Sequence, residues 1–255
     1  MNRRRRLIHL YGRIGRIYWA WAPSLILLAV IVFIPLGLAD ALLHSIDTNS
    51  LNLSGGFKLA AFLSAVAAVT ASGLFGEVFF SGAVAISLTH PEHEHSPSLR
   101  EIAGHISYRR LIAVDIIFGI AVAIGSIFLI LPGIALFVYL ALAGPVVELE
   151  KHSVRGGFAR SFHLVRGHFW MVAAVVLPIE IFGDAINDAI VGLSHDIFGH
   201  GLIAAWIGES ASNILTTPFF AVAVVLLTLD LIHHRDGSGP ILNKQPAPIL
   251  AGDPA

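Results

Sequence analysis

The 255-residue chain is 56% hydrophobic and 13% charged, with a formal net charge of −1 and no cysteine. Soluble domains carry roughly 25% charged residues, so this composition excludes an ordinary water-soluble domain. It also excludes disulfide frameworks, thiolate catalysis and cysteine metal sites; the net charge is uninformative, but its distribution is not, and no nucleic-acid partner is expected.

Residues 1–19 read as a basic interfacial helix. Leu7, Leu10, Tyr11, Ile14, Ile17 and Tyr18 form one stripe, while Arg6, His9, Arg13 and Arg16 form another. Trp19 then sits where an aromatic-belt residue belongs. A membrane-spanning helix needs about 20 apolar residues. The first such run is 20–44 and the second lies within 57–89. The third is 111–130, followed by a tight turn at Leu131-Pro132-Gly133 and a short fourth run, 132–149. The fifth is 169–190 and the sixth 208–231. Ala39-Asp40-Ala41 resembles a signal-cleavage site, but the apolar region before it is too long for a signal peptide. Residues 236–255, rich in Gly and Pro, read as a disordered cytoplasmic tail.

The expected fold is therefore an all-α polytopic transmembrane bundle of about six spans over 20–235. Charge tests that count. With the N-terminus inside, fifteen of the sixteen Lys and Arg fall on cytoplasmic segments, and Lys58 alone falls outside. This asymmetry is the positive-inside pattern. It predicts a multi-pass protein of a bacterial-type cytoplasmic membrane with both termini inside.

Residues 153–169 repeat the N-terminal scheme. Val154, Phe158, Phe162, Val165 and Phe169 recur at steps of three and four, Arg155, Arg160, His163 and Arg166 lie mostly elsewhere, and Ser153 can cap the start. Trp170 again marks the belt. A weaker version, SLREIAGHISYRR, occupies 98–110. Each basic segment precedes a pair of spans, which suggests three similar units. Arg13, Arg16, Arg155, Arg160 and Arg166 are the candidate contacts to anionic lipid headgroups, at about 1 kcal/mol each. Docking of an acidic protein or nucleic acid is the alternative use.

Ionisable residues inside spans are candidates for function. Glu180, Asp184 and Asp188 step by four along the fifth span, and Ser210, Asn213 and Thr217 share a face of the sixth. Pro178 and Pro218 lie beside these stripes, where they can free carbonyl groups. Either the two stripes face each other across an outward-facing polar cavity, or they bond helix to helix and carry nothing. In a third reading the fifth span ends near Phe182, and the aspartates are simply wet. Glu77 is the other buried candidate, within the small-residue stretch Gly73 to Gly82. Asp115, Glu148 and Asp230 read as interfacial rather than buried. Gly119, Ala123 and Gly125 allow close helix approach.

The loop HPEHEHSP at 90–97 offers His90, His93 and His95 as weak metal-ligand candidates, with His105 or His152 as further ligands. Pro91 and Pro97 argue for a solvated loop, and neither a metal site nor a cofactor is expected. No glycine-rich phosphate loop, Ser-His-Asp set or HExxH occurs, and Gly12-Arg13-Ile14-Gly15 is too short for a dinucleotide fingerprint.

Pro97 to Pro178 carries Leu131-Pro132-Gly133, Pro145-Val146-Val147, Glu150, Ala159-Arg160-Ser161 and Leu164-Val165-Arg166-Gly167 ending in Phe169-Trp170. This third of the chain resembles the membrane domain associated with some bacterial glycerophosphoryl diester phosphodiesterases and similar six-span bacterial proteins. The resemblance implies an integral membrane module. It does not bring phosphodiester hydrolysis with it, because these 255 residues hold no soluble catalytic barrel. Lys151-His152 departs from the glycine-rich turn usual after the glutamate. Two functions are expected. The first is a non-enzymatic scaffold or regulatory module touching lipid or envelope metabolism, anchored on the bilayer and open to a protein partner. The second is a small permease or ion-coupled transporter working through Glu180, Asp184 and Asp188. An intramembrane enzyme ranks last.

Overall fold

The computed structural model describes residues 3–44, 76–89, 104–128 and 130–236. They form α1 (Arg3–His44), α2 (Glu77–Thr89), α3 (Tyr108–Phe128), α4 (Ile130–Leu140), α5 (Ala143–Leu149), α6 (Val154–Arg166), α7 (Phe169–Phe198) and α8 (Leu202–Asp236). Lipid offers no partner to a backbone N–H or C=O, so apolar segments close those bonds within a helix. Four stretches are long and apolar enough to cross a membrane: Ile8–Leu38, Leu131–Leu149, Phe169–Phe198 and Leu202–Arg235. The second expected span is described only from residue 76 onward. The third appears as the 21-residue α3, which is not one of the four.

The centre is α8, whose residues Ala221 to Leu227 are almost wholly enclosed. α1 and α7 pack along it, and α2 packs on α8, α5 and α3. Phe118 of α3, Phe137 of α4 and Phe220 of α8 stack in sequence, with ring centroids 5.7 and 6.2 Å apart. The outer surface of α3 is a row of exposed isoleucines: Ile112, Ile116, Ile117, Ile120 and Ile124. Water would penalise such a row, whereas lipid does not.

Several boundaries differ from expectation. The interfacial helix expected at 1–19 does not stop at Trp19, because α1 runs unbroken from Arg3 to His44 through Pro23 and Pro35. Its apolar stripe faces protein as well as bilayer. Leu10 and Ile14 are buried in the core, Tyr11 Oη donates to the Ala174 carbonyl at 3.0 Å, and Tyr18 Oη donates to that of Leu215 at 3.4 Å. Leu131-Pro132-Gly133 is not a separate turn but lies in the first turn of α4, where proline loses no bond. Gly125 and Gly133 let α3 and α4 close on each other. A β-carbon at Gly125 would lie 3.1 Å from the Gly133 Cα. The helix of the fifth span runs past Phe182, since α7 continues to Phe198.

Candidate functional site

Two polar centres are built into this apolar frame. One lies at the turn from α5 to α6. Lys151 takes φ 54°, a left-handed conformation that favours glycine. The turn ends at Ser153, whose Oγ accepts from the Gly156 N–H at 3.2 Å, the expected cap. It presents Glu150 to the guanidinium of Arg160 as a two-pronged pair, with Nε–Oε2 and Nη2–Oε1 both 2.9 Å. His152 Nε2 lies 3.0 Å from Oε2 of the same carboxylate. Beside it, Glu148 is buried and accepts from the Ser107 N–H at 3.0 Å and from Lys151 Nζ at 3.2 Å.

Arg160, expected at lipid headgroups, is therefore committed to Glu150. Arg13, Arg16, Arg155 and Arg166 are exposed, as are Trp19 and Trp170. The most buried residues of α6 are Gly157, Ser161, Leu164 and Val165; of the rest of the expected stripe, Val154, Phe158 and Phe169 pack against the core and Phe162 stacks on Tyr139 at 4.6 Å. Glu150 and Arg160 are each 20% exposed at the side chain, so their attraction is partly screened. Glu150→Ala is expected to destabilise by about 1–3 kcal/mol. A double-mutant cycle with Arg160→Ala, read by unfolding in mixed micelles, should return a coupling near 1 kcal/mol. Additive losses would mean the pair contributes nothing.

The second centre surrounds the start of α2. Gly76 has φ +90°, a turn that an L side chain resists. The N–H groups of Gly76, Val78 and Phe79 all point to the Asp115 carboxylate of α3, at 2.6, 3.1 and 3.4 Å. Asp115 is thus not interfacial as expected but 6% exposed, an N-cap supplied from another helix. Its charge also complements the helix dipole. Glu148 corrects the same expectation, while Asp230 is half-buried.

Glu77, the first residue of α2, is 7% exposed, and its Oε2 is enclosed without a hydrogen-bond partner. It lies within electrostatic reach of Glu180, Asp115 and Asp184. Glu180 in turn feels Asp184, and Asp184 feels Asp188. The fold therefore joins two candidates separated by about a hundred residues of sequence. Glu180 is half-buried, and Asp184 and Asp188 are exposed. All three lie on the unbroken α7, where four-residue steps keep side chains on one face with a drift of about 40° per step.

No family model, curated protein or solved structure matches the chain. Function therefore rests on the site's own chemistry.

The expected polar face of the sixth span is only partly turned toward α7. Ser210 abuts Gly37 of α1, its Oγ enclosed and unpartnered. Thr217 is buried and Asn213 half-buried. The residue of α8 that meets α7 here is Thr216, whose Cβ lies 3.8 Å from where Gly183 would carry its own. His90, His93 and His95 lie outside the described residues, as do 57–75 and 237–255. Sequence reasoning missed Asp115 and Gly76 as the pair that fixes Glu77. The glycine was the one available signal, inside the small-residue stretch already noted.

Proposed function

We propose that the chain is a six-span protein of a bacterial-type cytoplasmic membrane, with both termini inside, that handles a small cation through an acidic intramembrane site. The observation behind this reading is the unpartnered oxygen of Glu77. Asp115 has three N–H donors, Glu148 an N–H and an ammonium, and Glu150 a guanidinium. Those carboxylates are structural. Among the described residues Glu77 has only other carboxylates within reach, and a buried charge without compensation is costly. A bound cation or proton supplies what the protein does not. The asymmetry of Lys and Arg supports the orientation.

A scaffold or regulatory module, implied by the resemblance over 97–178, is the second reading. The exposed Arg13, Arg16, Arg155 and Arg166 favour it, because they suit anchoring at anionic headgroups.

The absence of native cysteine allows a direct test. Single cysteines at 180, 184 and 188 are treated in intact cells with an impermeant thiol reagent, with position 166 as the inner control. Rapid labelling at 184 and 188 and slower labelling at 180 are expected. Labelling at 188 alone would favour the scaffold, since the acidic stripe would then be packed away from water. Labelling at 166 would overturn the orientation.

A further inference from the structure

We propose that the ion handled here is the proton, held at Glu77 and exchanged with the outer side through Glu180, Asp184 and Asp188. This rests on the cation reading above and narrows it.

Three observations carry the inference. First, exposure is graded along the chain of acids: Asp188 and Asp184 are exposed, Glu180 is half-buried and Glu77 is enclosed. Each is within electrostatic reach of the next. Second, the buried end of this series is an unpartnered oxygen, and the titratable groups facing it are Asp115 of α3 and Glu180 and Asp184 of α7. Asp115 is occupied by three backbone N–H groups; of the two acids of α7, Glu180 interacts with Glu77 the more strongly and is the more buried, which makes it the exchange partner. Third, among the described residues no three His, Asp or Glu side chains converge on a point where they could hold a metal ion. A hard divalent cation wants roughly six or more oxygen ligands. A proton needs one oxygen and no cavity, which suits acids that approach in series without converging.

The transfer balances without a co-reactant. Hydronium at the outer side gives its proton to the Asp188 or Asp184 carboxylate and leaves as water. The resulting carboxyl passes the proton to Glu180 and returns to carboxylate, and Glu180 does the same toward Glu77. Successive acids on α7 are separated by a rise of about 6 Å, longer than one hydrogen bond, so water bridges the steps. The route therefore requires water at Asp184 and Asp188, which no other described part of the protein covers.

The test uses the full chain in phosphatidylcholine vesicles. Dicyclohexylcarbodiimide crosses lipid and reacts with protonated carboxyls, and adducts are mapped by peptide mass spectrometry. The expected result is an adduct at Glu77, Glu180 or both. Its rate should fall roughly tenfold per pH unit once the carboxyl titrates and should be indifferent to sodium, potassium, magnesium and calcium. A water-soluble impermeant carbodiimide outside should mark Asp184 and Asp188 and spare Glu77. Protection by one of the metal ions would overturn the proton assignment while leaving the cation reading intact. No adduct at Glu77 or Glu180 at any pH would overturn both. Failure of the impermeant reagent at Asp184 and Asp188 would overturn the route.

Discussion

Asp115→Ala is expected to destabilise the protein by about 3–5 kcal/mol, because buried donors left without an acceptor cost about 1–3 kcal/mol each. The Gly76, Val78 and Phe79 N–H groups converge on this one carboxylate, and partial relaxation holds the total below their sum. For a chain of this size the loss corresponds to a Tm shift of roughly 10 °C, measurable by thermal denaturation in detergent with size-exclusion readout. Asp115→Asn should fall between, since the amide keeps one acceptor oxygen but loses the charge that faces the helix dipole. The functional consequence follows from position. Glu77 is the residue directly after Gly76, so releasing the helix start also moves the buried carboxyl, and carbodiimide labelling at Glu77 should change in the asparagine variant even where the fold survives. A loss below about 1 kcal/mol for the alanine variant would show that α2 is held by its packing and not by this cap.

Gly144→Ala is expected to cost about 3 kcal/mol, at the upper end for overpacking a core. The β-carbon it adds would collide with the Val78 carbonyl oxygen and lie 2.9 Å from both Ser81 Oγ and Val78 Cγ1. Ser81 Oγ is itself held on the Val78 carbonyl at 2.8 Å. Because the main obstacle is main chain, no rotamer change relieves it, and α2 must separate from α5. Gly15→Ala is the matched control, since a β-carbon there meets nothing within 4 Å and alanine is favoured over glycine in a helix by about 1 kcal/mol. Unfolding by SDS in mixed micelles should therefore move the two variants in opposite directions. Equal midpoints would mean that α2 and α5 do not approach as closely as the glycine implies.

Much of the architecture was legible in the residues alone. Apolar length, the Ser153 cap, the exposure of Trp19 and Trp170 and the burial of Glu77 all depend on local pattern. In lipid a helix satisfies its own backbone, so whether a segment is helical is decided within the segment. What the sequence could not supply is which side of each helix meets protein. Lipid tails are as apolar as a protein core, and hydrophobicity no longer separates inside from outside. For that reason the Leu10–Ile14 stripe and the aromatic stripe of α6 read as lipid-facing, although Leu10, Ile14 and Val165 are in the core and Val154, Phe158 and Phe169 pack against it. The same limit hid the partners of the acids. Asp115 and Glu148 read as interfacial because carboxylates near helix ends usually are. Apart from Lys151 beside Glu148, their donors are backbone N–H groups 36 to 41 positions away, and a main-chain donor leaves no mark in a sequence. Glu180 and its neighbours could be found by spacing, but only the packing of α2 and α7 against α8 brings Glu77 to them, because tertiary structure alone decides which distant charges share one buried space.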